Sequence, residues 1–148
     1  MPSDFSLQNI DNIILKEIKE HIETSKLLFD LIPEIIEFSN IVINTLKRNK
    51  KILICGNGGS AADAQHFSSE LIGRFEKERK PFAAISLCTD NSSITSISND
   101  FSFDEVFSRQ IRGIGATGDL LIVISTSGKS KNIINAINAA KEKNINCI

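Results

Sequence analysis

Apolar residues recur at three- and four-residue spacing through the first third of the chain, at Ile10, Ile13, Ile14, Ile18 and Ile22. That spacing predicts a helix with an apolar stripe along one face. Pro33 fits a break or a helix's first turn, and the pattern resumes through Ile35, Ile36, Ile41, Val42 and Leu46. Lys47, Arg48 and Asn49 then read as a helix C-terminus, with basic charge meeting the negative end of the helix.

From about residue 50 the rhythm changes. Residues 51–55 form a short apolar run, 60–75 a helix and 82–88 a second strand. Residues 90–99 are rich in Ser, Thr and Asn, with a short helix suggested by Ile94 and Ile97. A helix over 104–113 points Val106 and Ile111 inward. Residues 119–124 are nearly all apolar, as in a central parallel strand. A helix over 130–143 buries Ile133, Ile134 and Ile137, and 145–148 begins a fourth strand. Strands alternating with helices predict an α/β fold, a doubly wound parallel sheet flanked by helices. Ligands of such sheets bind beyond the carboxyl ends of the strands. The chain divides into an N-terminal helical segment, 1–49, and an α/β core, 50–148, within a single domain.

Composition narrows the function classes. A chain of 148 residues with net charge −1 and no polybasic run is a poor partner for nucleic acid or an acidic membrane surface. The first 25 residues lack the basic and apolar regions of a signal peptide, and no apolar run approaches membrane-spanning length. A cytoplasmic protein is expected. Cys55, Cys88 and Cys147 are odd in number, lie in apolar strand-like runs and read as buried reduced thiols.

Two loops at the same sheet edge carry the chemistry. The first is Gly56-Asn57-Gly58-Gly59-Ser60. Its glycines let a ligand approach the backbone, and the following helix offers its positive end to an anion. Gly56, Gly58 and Ala61 also satisfy a loose dinucleotide fingerprint, but the acidic residue expected about 20 positions on is absent. A tight turn with no ligand is the rival reading. The second loop is Ser125-Thr126-Ser127-Gly128-Lys129-Ser130. It is not a P-loop, because Val123 stands where that motif needs glycine. Its hydroxyls suit a phosphate; helix capping by Ser127 or Ser130 is the rival. His66 and Glu70 share a helical face, an arrangement suited to acid–base work or to two corners of a metal site, and common on solvated faces. Asn99 and Asp100 fall in a polar loop able to return to the sheet edge. Arg74 can pair with a phosphate or carboxylate. Residues 76–80, Glu-Lys-Glu-Arg-Lys, read as a solvated connector.

These segments together resemble the sugar isomerase (SIS) family, most closely its bacterial phosphoheptose isomerases. The resemblance rests on residues 55–60, 63–70 with His66, Gly73-Arg74, Asn99-Asp100-Phe101, Phe107-Ser108-Arg109, Gly118-Asp119 and 124–128 with Ser130, all in family order. It implies an SIS-type fold whose N-terminal helices pack in a homotetramer. It also implies isomerisation between D-sedoheptulose 7-phosphate and D-glycero-D-manno-heptose 7-phosphate, the first step of bacterial ADP-heptose and lipopolysaccharide heptose synthesis. By position, Ser60, Ser125, Thr126, Ser127 and Ser130 match phosphate- and sugar-binding hydroxyls. Asn57, Gly58, Gly59, Arg74, Asn99 and Asp100 match the substrate-binding surface. Glu70 matches the general base. His66 and Glu70 match two ligands of a zinc ion, one per subunit, seen in some members.

Ketose–aldose isomerisation needs a base near the substrate carbon and a group to stabilise the developing oxyanion. Glu70 suits the first role. The family draws a glutamine and a histidine for the second from a later segment. The sequence ends at Ile148 without them, so a C-terminally truncated isomerase with exposed apolar surface is expected. Two other functions compete. One is a non-catalytic SIS scaffold that binds the DnaA replication initiator, whose members share the Ala64-Gln65-His66-Phe67 stretch but lack the carboxylate at Glu70. The other is a phosphosugar-binding sensor.

Overall fold

The computed structural model describes residues 7–148. Contacts divide the chain into two compact units that meet at Ser39 and Asn40, inside a helix and not at the change of rhythm near residue 50. The first unit contains helix α1 (Leu7–Lys26), a 3₁₀ turn (Leu27–Leu31) and the start of α2 (Ile32–Lys47). Along α1 the predicted stripe is present, and Ile13, Ile14, Ile18 and Ile22 are each about half exposed.

The second unit holds the sheet. Its elements are β1 (Ile52–Gly56), α3 (Gly59–Ile72), β2 (Ala84–Ser86), α4 (Asn91–Asp100), a 3₁₀ turn (Phe103–Glu105), α5 (Val106–Ile114), β3 (Leu120–Ile124), α6 (Lys131–Glu142) and β4 (Asn146–Cys147). The strands lie in the order β2-β1-β3-β4, and every pair is parallel. All five residues of β1 are buried, which is why that strand reads as an unbroken apolar run and not as an alternation. Leu53, Cys55 and Leu121 face a core filled by Val106, Phe107 and Ile111 of α5 and Ile133, Ala136, Ala139 and Ala140 of α6.

The topology decides where a ligand fits. The chain leaves β1 for β2 on one side, then returns to place β3 on the other side of β1. The connections after β1 and β3 therefore diverge between adjacent strands, opening a crevice at the point where doubly wound sheets bind ligands. Register places Gly56 opposite Ile124, so Asn57 and Ser125 start these two connections side by side.

Several expected boundaries move. The second strand is shorter than 82–88, because Phe82 turns back to donate its N–H to the Leu71 carbonyl at 3.0 Å. The helix after β1 stops at Ile72, before Phe75, where the N–H of Gly73 closes on the Ser69 carbonyl at 2.8 Å. Asn99 and Asp100 lie in the last turn of α4, not in a loop. That helix starts at an Asp90 cap whose carboxylate accepts from the Ser93 N–H (3.1 Å) and hydroxyl (2.6 Å). Ile94 and Ile97 then pack against the core, and the cap and spacing outweigh the weak helix preference of the Ser/Asn-rich segment. The fourth strand pairs as far as Ile148, whose N–H reaches the Leu121 carbonyl at 3.0 Å.

At the opposite edge of the sheet, buried Asp119 accepts from the Lys51 ammonium, the Lys51 N–H (3.1 Å) and the Ala116 N–H (2.8 Å). Burial by itself would raise this carboxyl. The lysine and the two backbone donors outweigh it and hold Asp119 below the usual carboxylate range. The site lies at the other end of the strands.

Candidate active site

The glycine loop bends because Gly58 adopts φ +56°, and α3 begins at Gly59. Within it the Ser60 N–H closes on the Asn57 carbonyl at 3.0 Å. Across the crevice, Gly128 adopts φ +63° and lets the second loop fold on itself. The Ser125 hydroxyl accepts from the Gly128 N–H (3.1 Å) and the Ser127 hydroxyl from the Lys129 N–H (3.2 Å). A hydroxyl that accepts from its own loop still has its O–H proton to donate. Ser130 stands at the N-cap of α6 but makes no side-chain cap bond, so the expected capping role is not realised there. Ser127 caps no helix either; it braces its own loop.

Between the loops lies a small cavity of about 60 Å³, lined by Asn57, Ser60, Ile124, Ser125, Thr126, Ser127 and Ser130. The structure thus brings together the six expected polar side chains from segments about 65 residues apart in sequence. The N-termini of α3 and α6 start beside this cavity, and both favour an anion there.

Two side chains missed by sequence reasoning support the site. Asn132, in the first turn of α6, is 2% exposed. It exchanges two hydrogen bonds with Asn57: Asn57 Nδ2 donates to Asn132 Oδ1 at 2.9 Å, and Asn132 Nδ2 donates to Asn57 Oδ1 at 2.8 Å. No local pattern marks such a pair. The second is Arg79, in the stretch read as a solvated connector. Its guanidinium donates to the carbonyls of Glu70 (2.5 Å) and Leu71 (2.9 Å) and lies over the Phe82 ring at 4.4 Å. A cation on the last carbonyls of α3 complements that helix end and holds the turn that carries Glu70.

His66 and Glu70 share one face of α3, with His66 Nε2 3.8 Å from Glu70 Oε1. His66 is largely exposed and Glu70 about two-thirds covered. A structural zinc site takes four protein ligands and a catalytic one three. This pair supplies two, and the described residues contain no cluster of three or more His, Cys, Asp or Glu side chains. By themselves, then, the described residues do not complete the zinc site that the resemblance implies.

Arg74, Asn99 and Asp100 lie apart from the cavity. Arg74 is exposed and stands 3.8 Å from Glu78, four residues on in the irregular segment after α3. Asn99 donates to Asp100 Oδ1 at 2.9 Å on an exposed helix end. Cys55 is buried beneath the glycine loop, and burial first, then the neighbouring Cys88 and Cys147, pushes its thiol well above the usual range. A thiolate there is disfavoured, which leaves Cys55 a packing role.

Comparison with known proteins adds independent findings. The SIS domain family matches residues 16–148. The phosphoheptose isomerase of Campylobacter concisus is 47% identical over 139 residues, covering 94% of this chain and 74% of that protein. That of Coxiella burnetii is 48% identical over 141 residues, covering 95% of this chain and 71% of its own length. The solved structure of a phosphoheptose isomerase from Neisseria gonorrhoeae matches with a TM-score of 0.81 at 40% identity, covering 96% of this chain and 73% of that one.

Proposed function

This chain belongs to the phosphoheptose isomerases of the SIS-domain family, and from that membership we propose that it interconverts D-sedoheptulose 7-phosphate and D-glycero-D-manno-heptose 7-phosphate. The observation that carries the reading is the hydroxyl-lined cavity at the crevice between β1 and β3, joined through one helix to a carboxylate. Ser60, Ser125, Thr126, Ser127 and Ser130 hold the phosphate, with the N-termini of α3 and α6 supplying positive potential. Asn57, Gly58 and Gly59 form the wall on which the sugar lies. Arg74, Asn99 and Asp100 belong to the proposal by family position alone.

The spacing along α3 fits a long substrate. Glu70 follows Ser60 by ten residues, about 15 Å at ~1.5 Å per residue. Side chains lean toward the helix N-terminus, which shortens the gap to be bridged. From phosphorus to C1 of an extended 7-phosphate there are about eight bonds, or ~10 Å at the ~1.2 Å per bond of an extended chain. A three-carbon phosphosugar reaches only about half as far.

In the reaction, the Glu70 carboxylate takes a proton from C1 of the ketose, and the electron pair of that C–H bond forms the enediol double bond. Return of a proton to C2 gives the aldose, with the hydroxyl proton moving from O1 to O2. Arg79 keeps the carboxylate's turn in place, and His66 stands beside it. The heptose product suits bacterial ADP-heptose and lipopolysaccharide synthesis in the cytoplasm. Assembly as a homotetramer through the first helices is part of the same proposal, supported by the half-exposed isoleucine stripe of α1.

Calorimetry tests the phosphate cradle. D-Sedoheptulose 7-phosphate is expected to bind at least about tenfold more tightly than unphosphorylated sedoheptulose. Ser125→Ala and Ser127→Ala are each expected to weaken the phosphosugar by about tenfold, the loss of one hydrogen bond to a charged group. Equal affinity for the two sugars would remove the assignment.

A further inference from the structure

We propose that Asn132 is a positioning residue for the phosphate group, acting through Asn57; this rests on the reading of the cavity as a phosphosugar site. Asn57 lines one wall of that cavity, and Asn132 follows the opposite wall in sequence without itself lining the cavity. Asn57 follows β1 in the glycine loop, and Asn132 lies two residues past Ser130 in α6. Each amide both donates and accepts, at 2.9 and 2.8 Å, so the pair fixes the orientation of one side chain relative to the other. A single hydrogen bond would leave that orientation free.

The need for such a tether follows from composition. Gly56, Gly58 and Gly59 give the first loop more conformational freedom to lose than any other residue type would. Gly56 is held by β1, Gly59 by α3 and the Ser60 N–H by the Asn57 carbonyl, so a contact from outside the loop is what sets the Asn57 side chain and the placement of the turn against the opposite wall. Asn132 is well placed for this, being buried and anchored in a helix whose Ile133 and Ala136 fill the core. The tether therefore settles the distance between the Ser60 wall and the Ser125–Ser130 wall before a ligand arrives. Without it, the ligand must order the loop as it binds, and affinity falls by that cost.

The rival role is ordinary fold stabilisation by a buried polar pair, which would lower the melting temperature and leave affinity unchanged. The test uses the wild-type chain, Asn57→Ala, Asn132→Ala and the double variant. Each is titrated calorimetrically with D-sedoheptulose 7-phosphate and, separately, with inorganic phosphate, and each is melted. The expected result is a loss of about tenfold in affinity for both probes in each single variant, with the double variant no weaker than either single one. Wild-type affinity in Asn132→Ala, or losses that add in the double variant, would overturn the proposal. Asn132→Asp covers a failure of the alanine variant to fold. It keeps the size and one hydrogen bond but sets a second acceptor against Asn57 Oδ1. Its affinity relative to wild type at the same pH is expected to recover as the carboxyl protonates and can donate; a pH-independent ratio of one would contradict the tether. A wild-type chain that binds neither probe would sink the phosphosugar reading itself, whereas tight binding by wild type and Asn132 variants alike would sink only the tether.

Discussion

Glu70→Gln is expected to lower turnover of D-sedoheptulose 7-phosphate by about 10²- to 10⁴-fold, the usual contribution of a positioned general base. The amide keeps the size of the carboxylate but cannot take a proton at neutral pH. Affinity is expected to stay within about threefold, because the interaction removed is one made in the transition state. The carbonyl of residue 70 still receives the Arg79 guanidinium in this variant, since that contact is to the backbone. The helix end is thus unchanged, and a loss of rate reports on the side chain alone. Kinetics and calorimetry on the same preparation separate the two effects. Retained turnover would remove Glu70 as the base. Lost binding would instead mean that the carboxylate holds the sugar.

The second large effect is expected at Gly56. A Cβ there would lie 2.6 Å from the Ser60 carbonyl oxygen and 2.7 Å from the Ser60 carbonyl carbon and Cβ. The obstructing atoms are mainly backbone, so the turn between β1 and α3 must open to admit a methyl group. Overpacking of this kind costs about 1–3 kcal/mol or more, which for a chain of this size lowers the melting temperature by roughly 3–10 °C or more. The displaced atoms are the cavity wall, so phosphosugar affinity is expected to fall at least tenfold as well. Neighbouring glycines give graded controls. Gly58 has open space around its Cβ position but φ +56° with ψ −122°, a backbone that residues with a Cβ rarely adopt, so Gly58→Ala carries strain of about 1–3 kcal/mol. Gly59 has open space and no positive φ, so Gly59→Ala is expected to be neutral or slightly stabilising. Thermal melts in which Gly59→Ala destabilises as much as Gly56→Ala or Gly58→Ala would show that the turn is not held by these two glycines.

What could be read from sequence follows a physical division. β1 and β3 were legible because parallel strands buried on both faces leave continuous apolar runs such as Ile52 to Cys55. The two loops were legible because glycine and hydroxyl residues follow directly on those apolar runs, and both strand ends fell where the pattern put them. The pairing of Asn57 with Asn132 was not, since 75 residues separate them and a buried amide has no periodicity. Arg79 was hidden by its surroundings: in Glu-Lys-Glu-Arg-Lys each charge looks like a solvated side chain, and only the return of the chain toward Phe82 shows which one turns inward. Asn99 and Asp100 looked like loop because Ser and Asn favour turns, yet the Asp90 cap and the packing of Ile94 and Ile97 carried the helix through them.

The most direct test of the account is proton NMR of D-sedoheptulose 7-phosphate in D₂O with the wild-type chain. Removal of a C1 proton by Glu70 predicts that solvent deuterium enters the ketose at C1 while signals of D-glycero-D-manno-heptose 7-phosphate grow, and that both changes vanish in Glu70→Gln. A wild-type chain that binds the phosphosugar through its cradle yet exchanges no proton and forms no aldose would contradict the account and leave a binding protein in place of an isomerase.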